Sequence, residues 1–285
     1  MGIKIITDSA SDIPLELVKK MGIDVLPLSV FLGNIEYKDG ETIKPKELYD
    51  NMRAGKVYKT SQVSPQAFKD RFREYAEKNE ACIYLAFSSE LSGTYQSSLI
   101  AKKEILEEYP NFDITIIDTK CASGGLGLVV LKAAQMAAEG ASKEDIVKMS
   151  EFNSKHMEHI FTVDDLEYLY RGGRVSGTAA FIGSMLNIKP VLHVEEGRLV
   201  PLEKVRGRSK VLKRMIEIME ARGVNLEDQT IGITHGDDID IAMKAKEMIE
   251  ERFGSKDFVI GDVGCAVGAH SGPGTLAIFF LNEIK

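Results

Sequence analysis

The sequence predicts an α/β protein, with an N-terminal, mostly parallel α/β domain and a C-terminal α+β domain. Three observations predict it. In the first half, short apolar runs alternate with amphipathic stretches, the rhythm of strands joined by right-handed helical crossovers. In the second half that rhythm gives way to two apolar runs joined by Glu195-Glu196-Gly197-Arg198, the pattern of an antiparallel hairpin. The chain has 285 residues, 44% hydrophobic and 28% charged, which is ordinary globular composition and length enough for two domains. The change of rhythm puts the boundary near His156, giving units 1–155 and 156–285.

The elements follow in order. Ile3–Thr7 is a β-branched run and predicts a strand. Pro14–Met21 is a helix closed by Gly22. Ile23–Leu32 is apolar and ends in Gly33-Asn34, so it pairs as a hairpin with Ile35–Tyr37. Pro45–Arg53 is helical, and Ser64-Pro65 supplies an N-cap and first-turn proline for a helix running to about Asn79. Ala81–Phe87 and Phe112–Ile117 are strands flanking a helix from Ser92 to Tyr109. Leu126–Ala138 is an alanine-rich helix with Gly140 at its C-cap, and Ser142 to Asp145 forms a capping box for another. Pro190–Val194 and Leu199–Val205 form the second-half hairpin. Helices follow at Arg208–Ala221 and Ile239–Phe253, with strands at Thr230–Thr234, Phe258–Asp262 and Thr275–Phe280.

Composition also excludes functions. With 36 Lys and Arg against 43 Asp and Glu the net charge is −7, which disfavours nucleic acid and anionic membranes as partners. Asp8 arrives too early for a secretory signal, and no apolar run approaches the ~20 residues of a membrane span. Cys82, Cys121 and Cys265 are odd in number and widely spaced, which suits neither a disulfide framework nor a zinc knuckle. A cytoplasmic protein is the expectation.

Four loops concentrate hydroxyl and small residues where strands lead into helices: Asp8 to Asp12, Thr60 to Ser64, Ser88 to Thr94, and Asp118 to Gly125. Taken singly, each is ordinary helix capping. Together on one sheet edge, their hydroxyls and free N–H groups suit an anion. No Walker loop, His-Glu-x-x-His helix, Gly-x-Ser-x-Gly elbow or Cys-x-x-Cys pair occurs. His156 and His159 suggest a surface pair on a helix rather than a metal site, and Asp238 a cap for the helix after it. Lys204, Arg206, Arg208, Lys210, Lys213 and Arg214 form a basic run, the mark of a solvated helix face or of a dock for an acidic partner. His270-Ser271-Gly272-Pro273-Gly274 is a rigid turn bearing one histidine.

The ordered set of these segments resembles the DegV family, whose members bind fatty acids. It comprises Asp8 to Asp12, Thr60-Ser61-Gln62 with Ser64-Pro65, Ser88-Ser89 with Leu91 to Ser97, Phe161 to Asp164 with Leu169, Arg171 to Arg174, Lys189-Pro190, and His270 to Gly274. The resemblance implies a long-chain acyl group buried between two domains. It assigns the carboxylate to Thr60 and Ser92, with Ser61, Gly93, Thr94 and His270 as further contacts. It also implies a role as the acyl-carrying subunit of a fatty acid kinase, whose separate ATP-binding subunit phosphorylates the bound carboxylate. Arg171, Arg174 and Arg206 match basic positions that serve the partner or the acyl phosphate. Val63 departs from the family, where proline is common. No cofactor is implied.

A nucleophilic serine needs an adjacent, oriented base. Only His270 is available to Ser92, so an esterase-like Ser92/His270 hydrolase is the rival expectation. The binding reading instead expects neutral hydroxyl donors and no fixed cation at the head group.

Overall fold

The structure, a computed structural model, describes residues 2–175 and 188–285. The first half runs β1 (Lys4–Asp8), α1 (Leu15–Met21), β2 (Asp24–Leu26), β3 (Ser29–Leu32), β4 (Ile35–Lys38), α2 (Pro45–Arg53) and β5 (Tyr58–Ser61). It continues through α3 (Pro65–Glu77), β6 (Cys82–Ala86), α4 (Thr94–Glu108), β7 (Ile114–Asp118), α5 (Ser123–Ala138) and α6 (Lys143–His156). The second half comprises β8 (Met157–Thr162), α7 (Glu167–Gly172), β9 (Ile188–Glu195), β10 (Arg198–Arg206), α8 (Arg208–Arg222) and β11 (Thr230–His235). It ends with α9 (Ile239–Phe253), β12 (Asp257–Asp262), α10 (Cys265–Ser271) and β13 (Leu276–Leu281).

The parallel sheet expected of the first half is present in the order β2-β1-β6-β7. Every residue of the central strand β6 is buried, as its unbroken apolar run requires. Ser64 caps α3 through the Ala67 N–H, and Phe68, Phe72 and Tyr75 put one apolar face against the sheet. Gly22 closes α1 at φ +61°, and the capping box at Ser142 opens α6. The second sheet is mixed, in the order β10-β9-β8-β13-β11-β12, with only β11 and β12 parallel. Asp238 caps α9 by accepting from Ile241 N–H.

Several expectations need correction. The run from Ile23 to Leu32 is two strands, because Pro27 lacks the N–H that a continuous ladder needs. Its first part lies parallel to β1, while its second pairs with β4 and also with β5 in a separate antiparallel sheet. Strand β5 was not visible beforehand, since Tyr-Lys-Thr-Ser is a strand only through its pairing with β3. Thr60 therefore comes from this small sheet and not from the parallel sheet's edge. Strand β8 was missed because Glu158 and His159 interrupt its apolar pattern, yet it sits in the sheet between β9 and β13. His156 ends α6 and His159 lies buried on β8, so they are not a surface pair on one helix. Helix α10 replaces the first part of the expected His270 turn.

Helix α5 is the contact between the two sheets. A Cβ at Gly124 would stand 2.7 Å from Phe279, and one at Gly125 would stand 2.3 Å from the His159 ring. Only glycine lets the first turn of α5 approach β8 and β13 this closely. The other tie is α10. Asp39 accepts from the N–H groups of Cys265 and Ala266 at 2.8 and 3.1 Å, and Asp12 accepts from Gly264 N–H at 2.9 Å. Asp39→Ala would leave two buried amides unpartnered, a loss of about 2–3 kcal/mol. Denaturant unfolding checks this, and an unchanged midpoint would contradict it.

Candidate functional site

Between the two sheets lies a cavity of about 240 Å³ whose walls are drawn from both halves. Phe87 follows β6, Phe161 lies on β8, Val194 and Leu199 on the β9–β10 hairpin, and Ala277 and Phe279 on β13. These give an apolar lining. Alternation along β8 and β13 explains it, because every second side chain of an antiparallel strand faces the same side.

One side of the cavity is polar. Thr60 and Ser61 end β5, Ser92 and Gly93 precede α4, and His270 closes α10; all five line the cavity. Thr60 Oγ1 and His270 Nε2 are 2.7 Å apart. Ser92 Oγ lies 2.8 Å from Thr94 Oγ1 and also accepts from Thr94 N–H. Thr94 is fully buried and does not line the cavity; its hydroxyl positions Ser92 and accepts from Val63 N–H. Gln62, which the sequence reading passed over as a contact, also lines this side and is held by its bond to Ser97 Oγ at 2.7 Å.

Burial, and secondarily the nearby Arg174 guanidinium, pushes the His270 pKa down from 6.5 to about 4. The imidazole is therefore neutral at physiological pH and can donate only one hydrogen.

The basic residues separate. Arg174 lines the cavity, with Nε donating to Leu91 O at 3.2 Å and Nη1 donating to Gly172 O. A cation thus stands in the cavity wall, which corrects the expectation of neutral donors alone. Arg171 is exposed and packs over the Tyr168 ring, 5.2 Å from its centroid. Arg206 is exposed at the end of β10, outside the cavity wall. The Ser92–His270 pair that a hydrolase needs is also corrected, because the Nε2 of His270 meets Thr60 while Ser92 turns to Thr94.

This overall fold is shared with solved structures. A DegV family protein from Thermus thermophilus, described as fatty acid binding, superposes with a TM-score of 0.89 at 33% identity, covering 98% of this chain and 99% of that one. DegV from Bacillus subtilis, described as a fatty acid binding protein, gives a TM-score of 0.87 at 31% identity and 98% coverage of both chains. A DegV domain-containing protein of Clostridium perfringens is 46% identical over 284 residues, 99% of this chain and 98% of its own length. The model of the DegV family, described as an uncharacterised protein family, matches residues 2–283. The chain belongs to the DegV family. Among the described residues, no helix is long and apolar enough to cross a membrane.

Two outcomes test this geometry. A Cβ at Gly172 would stand 2.2 Å from His270 Nδ1, and a packed ring yields less readily than a flexible side-chain tip. Gly172→Ala should therefore displace the His270 ring and break its 2.7 Å contact with Thr60; unchanged His270 ring resonances by NMR would contradict the placement. In NMR titrations His270 and His159 should both protonate near pH 4, since burial depresses each pKa to about that value. The unfolded chain takes up these protons near pH 6.5, so their contribution to stability is lost as pH falls from about 6.5 towards 4. A midpoint near 6.5 for His270 would place it in water.

Proposed function

We propose that this chain binds a long-chain fatty acid, such as palmitate, between its two halves and carries it without transforming it. Thr60 and Ser92 hold the carboxylate, with Ser61, Gly93 and His270 beside them, Thr94 positioning Ser92, and Arg174 balancing the charge. The acyl chain lies against Phe87, Phe161 and Phe279. Residues 1–155 supply the hydroxyl-bearing loops and residues 156–285 cover the chain.

The observation that carries this reading is the cavity itself. Hydroxyls from two separate loops and a neutral imidazole stand on one side of a largely apolar cavity. Structural relatives that share the whole fold are described as binding fatty acids.

Magnitudes divide the work. Burying a 16-carbon chain contributes on the order of 12 kcal/mol gross at ~0.8 kcal/mol per CH₂. Each hydrogen bond to a carboxylate contributes roughly 1.5–3 kcal/mol net. The tail sets affinity and the hydroxyls set orientation. A carboxylate so oriented suits presentation to an ATP-binding kinase partner that phosphorylates it, with Arg171 and Arg206 on the partner's side, and a role in lipid transport or fatty acid metabolism follows.

The combined Thr60→Val, Ser92→Ala variant should lose acyl-phosphate formation with a fatty acid kinase subunit and ATP far more than it loses displacement of a fluorescent fatty acid. Equal losses in both assays would contradict this division.

A further inference from the structure

The cavity has a second polar station, away from the Thr60–His270 side. Helix α10 spans the distance between them. Gly264, just before it, bonds Asp12, while His270, six residues on, bonds Thr60. At ~1.5 Å rise per residue the backbone from Gly264 to His270 is about 9 Å long. Ser123 and Thr234 line the cavity at the far one, with Ser123 Oγ 3.0 Å from Thr234 Oγ1 and also bonded to Asp12 Oδ2.

Counting protons decides what this station offers. The chain Asp12–Ser123–Thr234 has two links. Ser123 donates to Asp12 Oδ2, so the remaining link is made by the Thr234 hydroxyl donating to Ser123. The Thr234 oxygen is thereby left as an acceptor in the cavity wall. Two other polar groups here are occupied, while the Ser271 hydroxyl, also in the cavity lining, has no partner among the described residues. His159 Nε2 accepts from Ala122 N–H, so its proton is on Nδ1, bonded to Met157 O. The Thr275 hydroxyl is spent on the Ser271 and Gly272 carbonyls.

We propose that Thr234, backed by Ser123 and Asp12, is a specificity-determining acceptor that selects fatty acids carrying a hydroxyl group well down the acyl chain. This rests on the fatty-acid reading above. Against a saturated chain the acceptor side of the Thr234 oxygen would face methylene groups, an unmade bond in a dry site; against a chain hydroxyl it is satisfied. A hydroxyl next to the carboxylate would lie at the wrong station.

The test compares stearate, 2-hydroxystearate and mid-chain hydroxystearates (10- and 12-hydroxy) by calorimetry on the delipidated protein. At least one mid-chain hydroxystearate should bind about fivefold tighter than stearate, the size of one net hydrogen bond, and 2-hydroxystearate should show no such gain. In Thr234→Val, an isosteric change, and in Ser123→Ala the ratio of mid-chain hydroxystearate to stearate affinity should fall to about one, with thermal melting confirming that each variant is folded. Equal binding of stearate and every mid-chain hydroxystearate by the natural protein, or a preference that survives both substitutions, would overturn the proposal while leaving fatty-acid binding intact. Failure of all these ligands to bind would overturn both.

Discussion

Everything at the site depends on how α10 is held. Its first amides and the one before it are gripped by two carboxyl groups, the partly buried Asp12 from the loop after β1 and the buried Asp39 from the turn after β4. Ser9 adds a bond to Asp39, and Tyr49 reaches the Val263 carbonyl. All the acceptors and hydroxyls in this grip belong to the first half except that carbonyl, and all the amides belong to the second. The two halves are thereby locked in one register. That register puts His270, at the other end of the same helix, against Thr60.

The grip is unusual in its electrostatics. Asp8 and Asp39 are buried and Asp12 is partly buried, and desolvation raises the pKa of each, that of Asp8 to about 6. Amide and hydroxyl donors favour the ionised forms but do not outweigh desolvation. Asp12 and Asp39 nevertheless tie the halves together through the amides they accept from.

Much of this was legible in the sequence. The strand-and-helix rhythm, the caps at Ser64, Ser142 and Asp238, and the hydroxyl-rich loops around Thr60 and Ser92 are local signals, and local chemistry explains them. What failed was whatever tertiary packing decides. Strand β5 exists because β3 lies beside it, and β8 tolerates Glu158 and His159 because the imidazole finds backbone partners at Ala122 and Met157. The meeting of Ser123 with Thr234, 111 residues apart, leaves no trace in either loop alone. Arg174 could be matched to a basic position, but its place in the cavity wall depends on the carbonyls of Leu91 and Gly172 that hold it. For Gln62 the available signal was a polar side chain directly after Thr60 and Ser61.

The central claim is geometric: an acyl carboxylate at Thr60 and Ser92, with its hydrocarbon running between the sheets. A crystal structure of the protein purified with its natural ligand in place tests it most directly. The account predicts continuous density for a single long chain, its carboxylate within hydrogen-bonding distance of both hydroxyls and its far end near Phe279. A carboxylate found at Ser123 and Thr234 instead, or a cavity holding no chain-like ligand, would contradict it.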